Sequence, residues 1–243
     1  MSKVLLLIDA GNTALKYRLI TVGADSFQDW VLFPDSDPEV LKEILFLKAD
    51  EIWISDVQSG EIPVPINTPI RKIDPSLRFP FKSEPVLLNS LGSDRLCVYA
   101  ALSEKLDAEA CGICITLGTA ITYNLMLPGK IAVGGAISPG VKMRFQALHE
   151  FTGKLPLVEP DNHPQFPANQ TDRAIQAGVI LGIKNELEGF IQQVEENFKV
   201  LPEIFLTGGY AHFFENHLKK RNFVFPDLVL RGLYRLAILN RNE

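Results

Sequence analysis

Val4 to Ile8 is an unbroken apolar run that stops at Asp9 and Gly11, the pattern of a strand covered on both faces. After the polar pair Asn12-Thr13, Leu15 to Val22 reads as a second strand, and Trp30 to Phe33 as a third. Pro38 to Leu47 has apolar residues at helical spacing, and Glu51 to Ser55 returns to strand. The stretch from Gly60 to Pro85 carries six prolines and so reads as loop or short edge pieces. Gly92 to Leu106 turns helical. Ile113–Leu117, Ile121–Leu127 and Lys130–Ile137 then form three successive strand patterns with glycine and proline at their turns. A helix follows Pro139, a proline-rich loop covers Leu155 to Pro167, and a long helix runs from Thr171 to Asn197. Glu203 to Leu206 is a buried strand that enters Gly208-Gly209 and a helix, and Asp227 to Leu239 is a final helix.

This alternation predicts an α/β protein. One pattern also occurs twice: Ile8–Ile20 (IDAGNTALKYRLI) is echoed by Cys114–Met126 (CITLGTAITYNLM). In each, an apolar strand ends in a polar residue, a glycine-centred turn follows, and a second strand begins. A repeat at half-chain spacing predicts two similar lobes, divided here as residues 1–110 and 111–243. Two such turns facing one cleft would put a nucleotide between the lobes.

Composition narrows the field little. The 243 residues are 47% hydrophobic and 22% charged, ordinary for a globular chain able to bury a core. A net charge of -5 argues against nucleic acid or a membrane surface as partner. No apolar stretch approaches the ~18 residues of a membrane span, and the apolar run at the N-terminus is too short for a signal sequence; a cytoplasmic location is expected. Cys111 and Cys114 form a C-x-x-C inside a strand pattern and read as buried small hydrophobes. The four histidines, among them His212 and His217 five residues apart, form no zinc-binding spacing.

The candidate chemistry lies in the turns. In Asp9-Ala10-Gly11-Asn12-Thr13, Gly11 allows close backbone approach to a ligand, Asp9 at a strand end could hold Mg²⁺, and Lys16 adds positive charge for phosphate. Thr116-Leu117-Gly118-Thr119-Ala120 repeats that logic. Either turn alone also reads as a tight hairpin. Leu91-Gly92-Ser93-Asp94-Arg95 opens a helix: Ser93 or Asp94 suits an N-cap, while Arg95 in a first turn opposes the helix dipole and so points to an anion such as a carboxylate. An Asp at a helix start is expected to be a weak base, which still suffices to orient a hydroxyl in phosphoryl transfer. Gly134 to Gly140 reads mainly as close packing. Gly208-Gly209 would let a flat group such as adenine lie against the backbone.

Together these motifs resemble the type III pantothenate kinases of the acetate kinase, sugar kinase, Hsp70 and actin superfamily. The matching pieces are D-x-G-N-T-x-x-K at Asp9–Lys16, L-G-x-D-R at Leu91–Arg95, G-T-A-x-T at Gly118–Thr122, G-G-A-I-x-P-G at Gly134–Gly140, Leu155-Pro156, T-x-x-A-I-x-x-G at Thr171–Gly178, T-G-G-Y-A at Thr207–Ala211 and L-R-G-L at Leu230–Leu233. The resemblance implies two ribonuclease-H-like lobes with an ATP cleft between them, and a homodimer. It implies that Asp9, Gly11, Asn12, Thr13, Lys16, Gly118 and Thr119 bind ATP phosphates with Mg²⁺, and that Gly208 and Gly209 lie near adenosine. It further implies that Gly92, Ser93, Asp94, Arg95 and Thr171 bind pantothenate, with Asp94 accepting the hydroxyl proton and Arg95 meeting the carboxylate. Thr171 also reads as the N-cap of its helix.

Three positions depart from the family pattern. Thr116 stands where an Asp usually holds an activating potassium or ammonium ion, Asn124 replaces a second acid, and Pro85 stands where a Tyr is usual, with Leu88 in place of the proline that follows it. Weaker or absent monovalent-cation activation is therefore expected. Two other readings remain: a non-catalytic binding relative, and a kinase of the same superfamily for another hydroxy acid.

Overall fold

A computed structural model describes residues 3–23, 31–34, 44–58, 62, 64–65 and 67–241. The chain divides into two compact units. The first comprises Met1–Ala108, Gly129–Val133 and Asp227–Glu243; the second comprises Glu109–Pro128 and Gly134–Pro226.

The first unit is built on a sheet in which β1 (Val4–Ala10) is central. On one side it pairs antiparallel with β2 (Ala14–Thr21), which carries β3 (Val31–Pro34); on the other it runs parallel to β4 (Glu51–Asp56), which carries β5 (Ile70–Lys72). The apolar run in β1 has no polar face because both faces are covered. Leu6, Ile8, Leu15, Tyr17, Ile52 and Ile54 form one core with Ile44. On the other face, helices α2 (Ser93–Lys105) and α6 (Leu228–Asn240) pack together against β1 and β4, so the alternate residues Leu5, Leu7 and Trp53 lie under them. The two helices cross at backbone contact: a Cβ on Gly232 would lie 1.8 Å from the Cys97 carbonyl oxygen.

Asn240 secures the proline-rich segment to α6. Its side chain donates to the Arg78 carbonyl at 3.0 Å and accepts from the Arg78 N–H at 2.9 Å, while Arg71 donates to its carbonyl at 3.1 Å. From the end of that segment runs a six-residue helix absent from the sequence reading, α1 (Pro85–Ser90), with Pro85 in the first turn, where the missing N–H costs nothing.

The second unit repeats the arrangement. Strand β6 (Gly112–Leu117) pairs antiparallel with β7 (Ala120–Leu127) and parallel with β10 (Glu203–Thr207), which carries β11 (Asn222–Val224). Helix α4 (Thr171–Phe198) spans about 42 Å at 1.5 Å per residue. It buries Ile175, Val179, Ile180, Ile183, Leu187, Ile191 and Val194 along one stripe, and Lys199 ends it in a left-handed conformation at φ 56°. Helices α3 (Val141–Glu150) and α5 (Ala211–Glu215) complete the unit.

Two local expectations are corrected. Lys130–Ile137 is not one strand but two, β8 (Ile131–Gly134) and β9 (Ile137–Pro139). Gly134 takes φ 92°, and Gly135 lies so close to β7 that a Cβ would stand 1.8 Å from the Tyr123 carbonyl oxygen. Thr171 is the first helical residue of α4 rather than its cap; Gln170 occupies the cap position without a side-chain bond. Of the expected third strand, Trp30 lies outside the described residues, as do residues 38–43 of the helix expected over Pro38–Leu47.

Candidate active site

In the first unit the candidate residues gather at the carboxyl end of β1, where parallel-stranded α/β sheets place their ligands. Asp9 is the penultimate residue of β1 and faces Lys16 across the β1–β2 pairing. The hairpin between them closes with the Gly11 N–H donating to the Ala14 carbonyl at 3.0 Å, which leaves Asn12 and Thr13 exposed at its tip. Burial pushes the Asp9 carboxyl up to about 6; Lys16 pulls it down and Asp94 pushes it up further. Asp9 and Asp94 are therefore near enough to feel each other's charge.

Helix α2 delivers Asp94. Gly92 is its cap residue, and a Cβ there would stand 2.7 Å from Asp94 Oδ1, so glycine leaves room for the carboxylate to fold back onto the helix end. The Asp94 carboxyl is raised above its ordinary range: burial dominates, and the Arg95 backbone N–H and guanidinium only partly offset it. The weak base expected from the helix dipole is thus overruled by desolvation. Ser93 is buried and turned away from solvent; its Oγ accepts from the Asp56 N–H at 2.8 Å and donates to the Asp56 carbonyl at 3.1 Å, with Ser55 Oγ 3.2 Å away. Ser93 thus ties α2 to the end of β4. Arg95, beside Asp94, is partly exposed.

In the second unit Gly118 and Thr119 form the β6–β7 turn, closed by the Gly118 N–H donating to the Ala120 carbonyl at 3.1 Å. Thr116 lies opposite Thr122 in β7 and Thr207 in β10, and Asn124 Nδ2 donates to Thr122 Oγ1 at 3.3 Å. The face where the family pattern carries acids is therefore neutral. Gly208 takes φ 94°, and a Cβ on it would lie 2.6 Å from the Leu117 carbonyl oxygen; the Tyr210 N–H donates to that same oxygen at 3.0 Å. The double glycine thus seats the β10–α5 junction on the β6–β7 turn, with Gly209 exposed beside it. Thr171 is exposed at the start of α4. Cys111 and Cys114 are buried free thiols, and burial pushes Cys111 up to about 11.

A cluster not anticipated from the sequence braces this second turn from behind. Glu186 of α4 accepts hydrogen bonds from Tyr123 Oη at 2.7 Å, Ser138 Oγ at 2.5 Å and Arg144 Nη2 at 2.6 Å. Its partners lie far from it in sequence, so no local motif announces them.

A sequence model of the type III pantothenate kinases matches residues 65–193. A type III pantothenate kinase of Christiangramia forsetii is 32% identical over 248 residues, covering 98% of this chain and 99% of the relative. One of Cytophaga hutchinsonii is 33% identical over 240 residues, with 98% and 99% covered. Among solved structures, a Baf family protein of Campylobacter jejuni superposes with a TM-score of 0.65 at 18% identity, covering 98% of this chain and 100% of its own. Component A of the Acidaminococcus fermentans (R)-2-hydroxyglutaryl-CoA dehydratase gives 0.56 at 13% identity, covering 99% and 98%. At such identities the structural likeness speaks for the fold alone. That fold is the actin-like one, with two ribonuclease-H-like lobes.

Proposed function

Because the chain belongs to the type III pantothenate kinase family, we propose that Asp94 receives the proton of the pantothenate hydroxyl while Asp9 and Lys16 manage the charge of the transferred phosphoryl group. The chain is a phosphotransferase acting on an alcohol: it converts ATP and pantothenate to 4'-phosphopantothenate, the first step of coenzyme A biosynthesis. The observation that carries the assignment of roles is the approach of Asp94 to Asp9 at the end of β1, with both carboxyls raised by burial.

A raised carboxyl lies closer to working pH and accepts a proton more readily than an ordinary Asp. The Arg95 backbone N–H steadies Asp94 at the start of α2, and Ser93 fixes that helix end. In phosphoryl transfer the chain has little covalent chemistry to perform; it orients the hydroxyl and offsets charge. Arg95 suits the pantothenate carboxylate, a pairing arginine makes in bidentate form, and exposed Thr171 suits a second substrate contact. The turns at Asn12-Thr13 and Gly118-Thr119 suit the phosphates, and Gly208-Gly209 suits adenosine.

The residues also fit Mg²⁺. Among the described residues no cluster of three or more His, Cys, Asp or Glu could hold a metal alone, and Mg²⁺ ordinarily binds through one or two carboxylates plus substrate phosphates. Asp9, buried and costly to ionise, is the carboxylate that a cation would relieve. The metal would neutralise charge on the phosphate oxygens. No helix among the described residues is long and apolar enough to cross a membrane; this supports action in the cytoplasm, and the family pattern supports a homodimer.

ATP consumption by the purified protein with pantothenate and Mg²⁺ tests the assignment. Turnover should require pantothenate and fall by about 10²–10⁴-fold in Asp94→Asn. ATP binding without turnover would instead favour a binding relative, or a kinase for another hydroxy acid.

A further inference from the structure

The segment from Gly134 to Gly140 is pressed onto the second turn with no room to spare. The Gly140 N–H donates to the Thr119 carbonyl at 3.0 Å, and a Cβ on Gly140 would stand 2.3 Å from both the Gly118 and the Thr119 carbonyl oxygens. Strand β9 continues the contact along β7, with Pro139 opposite Ala120 and Ser138 opposite Ile121. The position of Gly140 therefore sets the direction of the turn's carbonyls, and with them the peptide planes of Gly118 and Thr119.

What holds Gly140 in place lies one and two residues before it. The Pro139 carbonyl accepts from Arg144 Nε at 2.8 Å, and Ser138 Oγ lies between Arg144 Nη2 at 3.3 Å and Glu186 Oε1 at 2.5 Å. The other Glu186 oxygen takes Arg144 Nη2 at 2.6 Å, and Tyr123 of β7 completes the set at 2.7 Å. One carboxylate on the long, well-packed helix α4 thus gathers β7, β9 and α3. Burial pushes the Glu186 carboxyl up, but the bonds from Ser138, Arg144 and Tyr123 outweigh it and hold the group below its ordinary range, so it is an anion at neutral pH.

We propose that Glu186 is a positioning residue for nucleotide binding: through Ser138 and Arg144 it fixes Pro139-Gly140, and through Gly140 it fixes the Gly118-Thr119 turn that receives ATP phosphates. This rests on the assignment of that turn to ATP. Glu186 touches no substrate, and its effect is on the affinity for ATP rather than on the proton transfer at Asp94.

The test compares wild type with Glu186→Gln, which keeps the shape and loses the charge that binds Arg144, and with Tyr123→Phe, which removes a single bond. Steady-state KM for ATP and for pantothenate is measured beside calorimetric Kd for Mg-ATP. Glu186→Gln should raise KM and Kd for ATP about tenfold, the scale of effect a small misplacement of binding groups produces. KM for pantothenate should stay unchanged, and Tyr123→Phe should show a smaller shift in the same direction. A variant that melts at lower temperature yet keeps the wild-type ATP constants would overturn the proposal, since it would make the cluster merely structural. Should Glu186→Gln fail to fold, Tyr123→Phe decides on the same readout. If wild type binds ATP without phosphorylating pantothenate, the kinase assignment fails while the Kd comparison still decides the role of Glu186. If wild type binds no ATP, both fail.

Discussion

Ser93 and Asp56 hold each other through two hydrogen bonds, the Asp56 N–H donating to Ser93 Oγ and that hydroxyl donating back to the Asp56 carbonyl. One side chain thereby closes both main-chain groups at the end of β4 and pins the first turn of the helix that carries Asp94. Ser93→Ala should leave a part-buried N–H unpaired and cost about 1–3 kcal/mol. Thermal unfolding should show a Tm several degrees lower. Turnover should fall with it, because Asp94 loses its fixed seat.

Asp9 makes stability depend on pH in a definite direction. Its folded-state value of about 6 exceeds the ordinary 3.8, so between those limits the folded chain holds a proton that the unfolded chain releases. The contribution is fully present below about pH 4 and is lost as pH rises through about 6, in total about 3 kcal/mol. Asp9→Asn removes the cost of the buried charge. Urea unfolding should find the variant more stable than wild type at pH 7.5 and nearly equal to it at pH 4, while it loses Mg-ATP binding. A variant less stable at pH 7.5 would refute this account.

The response to potassium tests the reading of Thr116 and Asn124. Thr116, Thr122 and Asn124 share a neutral face of the β6–β7 pair, and a hydroxyl or amide holds a monovalent cation less strongly than a carboxylate does. Replacing sodium by potassium or ammonium should change kcat by less than about twofold, whereas Thr116→Asp should introduce a dependence. A steep potassium requirement in the wild-type protein would count against the reading.

Gly208 answers to geometry alone. With φ at 94° and the Leu117 carbonyl 2.6 Å from any added Cβ, Gly208→Ala must both strain the backbone and push β10 from the β6–β7 turn. A loss of about 2 kcal/mol or more is expected, measurable by urea unfolding. Gly209→Ala should be nearly neutral for stability, because nothing lies within 4 Å of its Cβ position, so any effect of it on ATP binding reports the ligand rather than the fold.

The inner strands of both sheets were readable because their apolar runs are buried on both faces, as in β1 and β6, whereas the short edge strands β5 and β11 carry no such run. Failures occurred where tertiary contact decides. Helix α1 buries no residue and so carries no amphipathic signal. The break between β8 and β9 arises from the approach of Gly135 to the Tyr123 carbonyl, which no local pattern encodes. Asp94 reads as a weak base from its helix position, yet desolvation outweighs the helix end and raises its carboxyl. Glu186 stayed hidden for a similar reason: it lies amid other polar residues of a long helix, and its meaning comes from partners on β7, β9 and α3.

Helix α6 belongs to the first unit although the whole second unit precedes it in sequence, and Gly232 meets the Cys97 backbone with no side chain between them. During synthesis, a chain that has emerged as far as Pro226 holds every strand and helix of the second unit. Leu5, Leu7 and Trp53 still wait for the helix that covers them. The sheet of the first unit is therefore made before the second unit, and one of its covering helices after it. Until Asp227–Asn240 arrives, α2 alone covers that face of the sheet, and the ground on which Asp9 and Asp94 sit is only half closed.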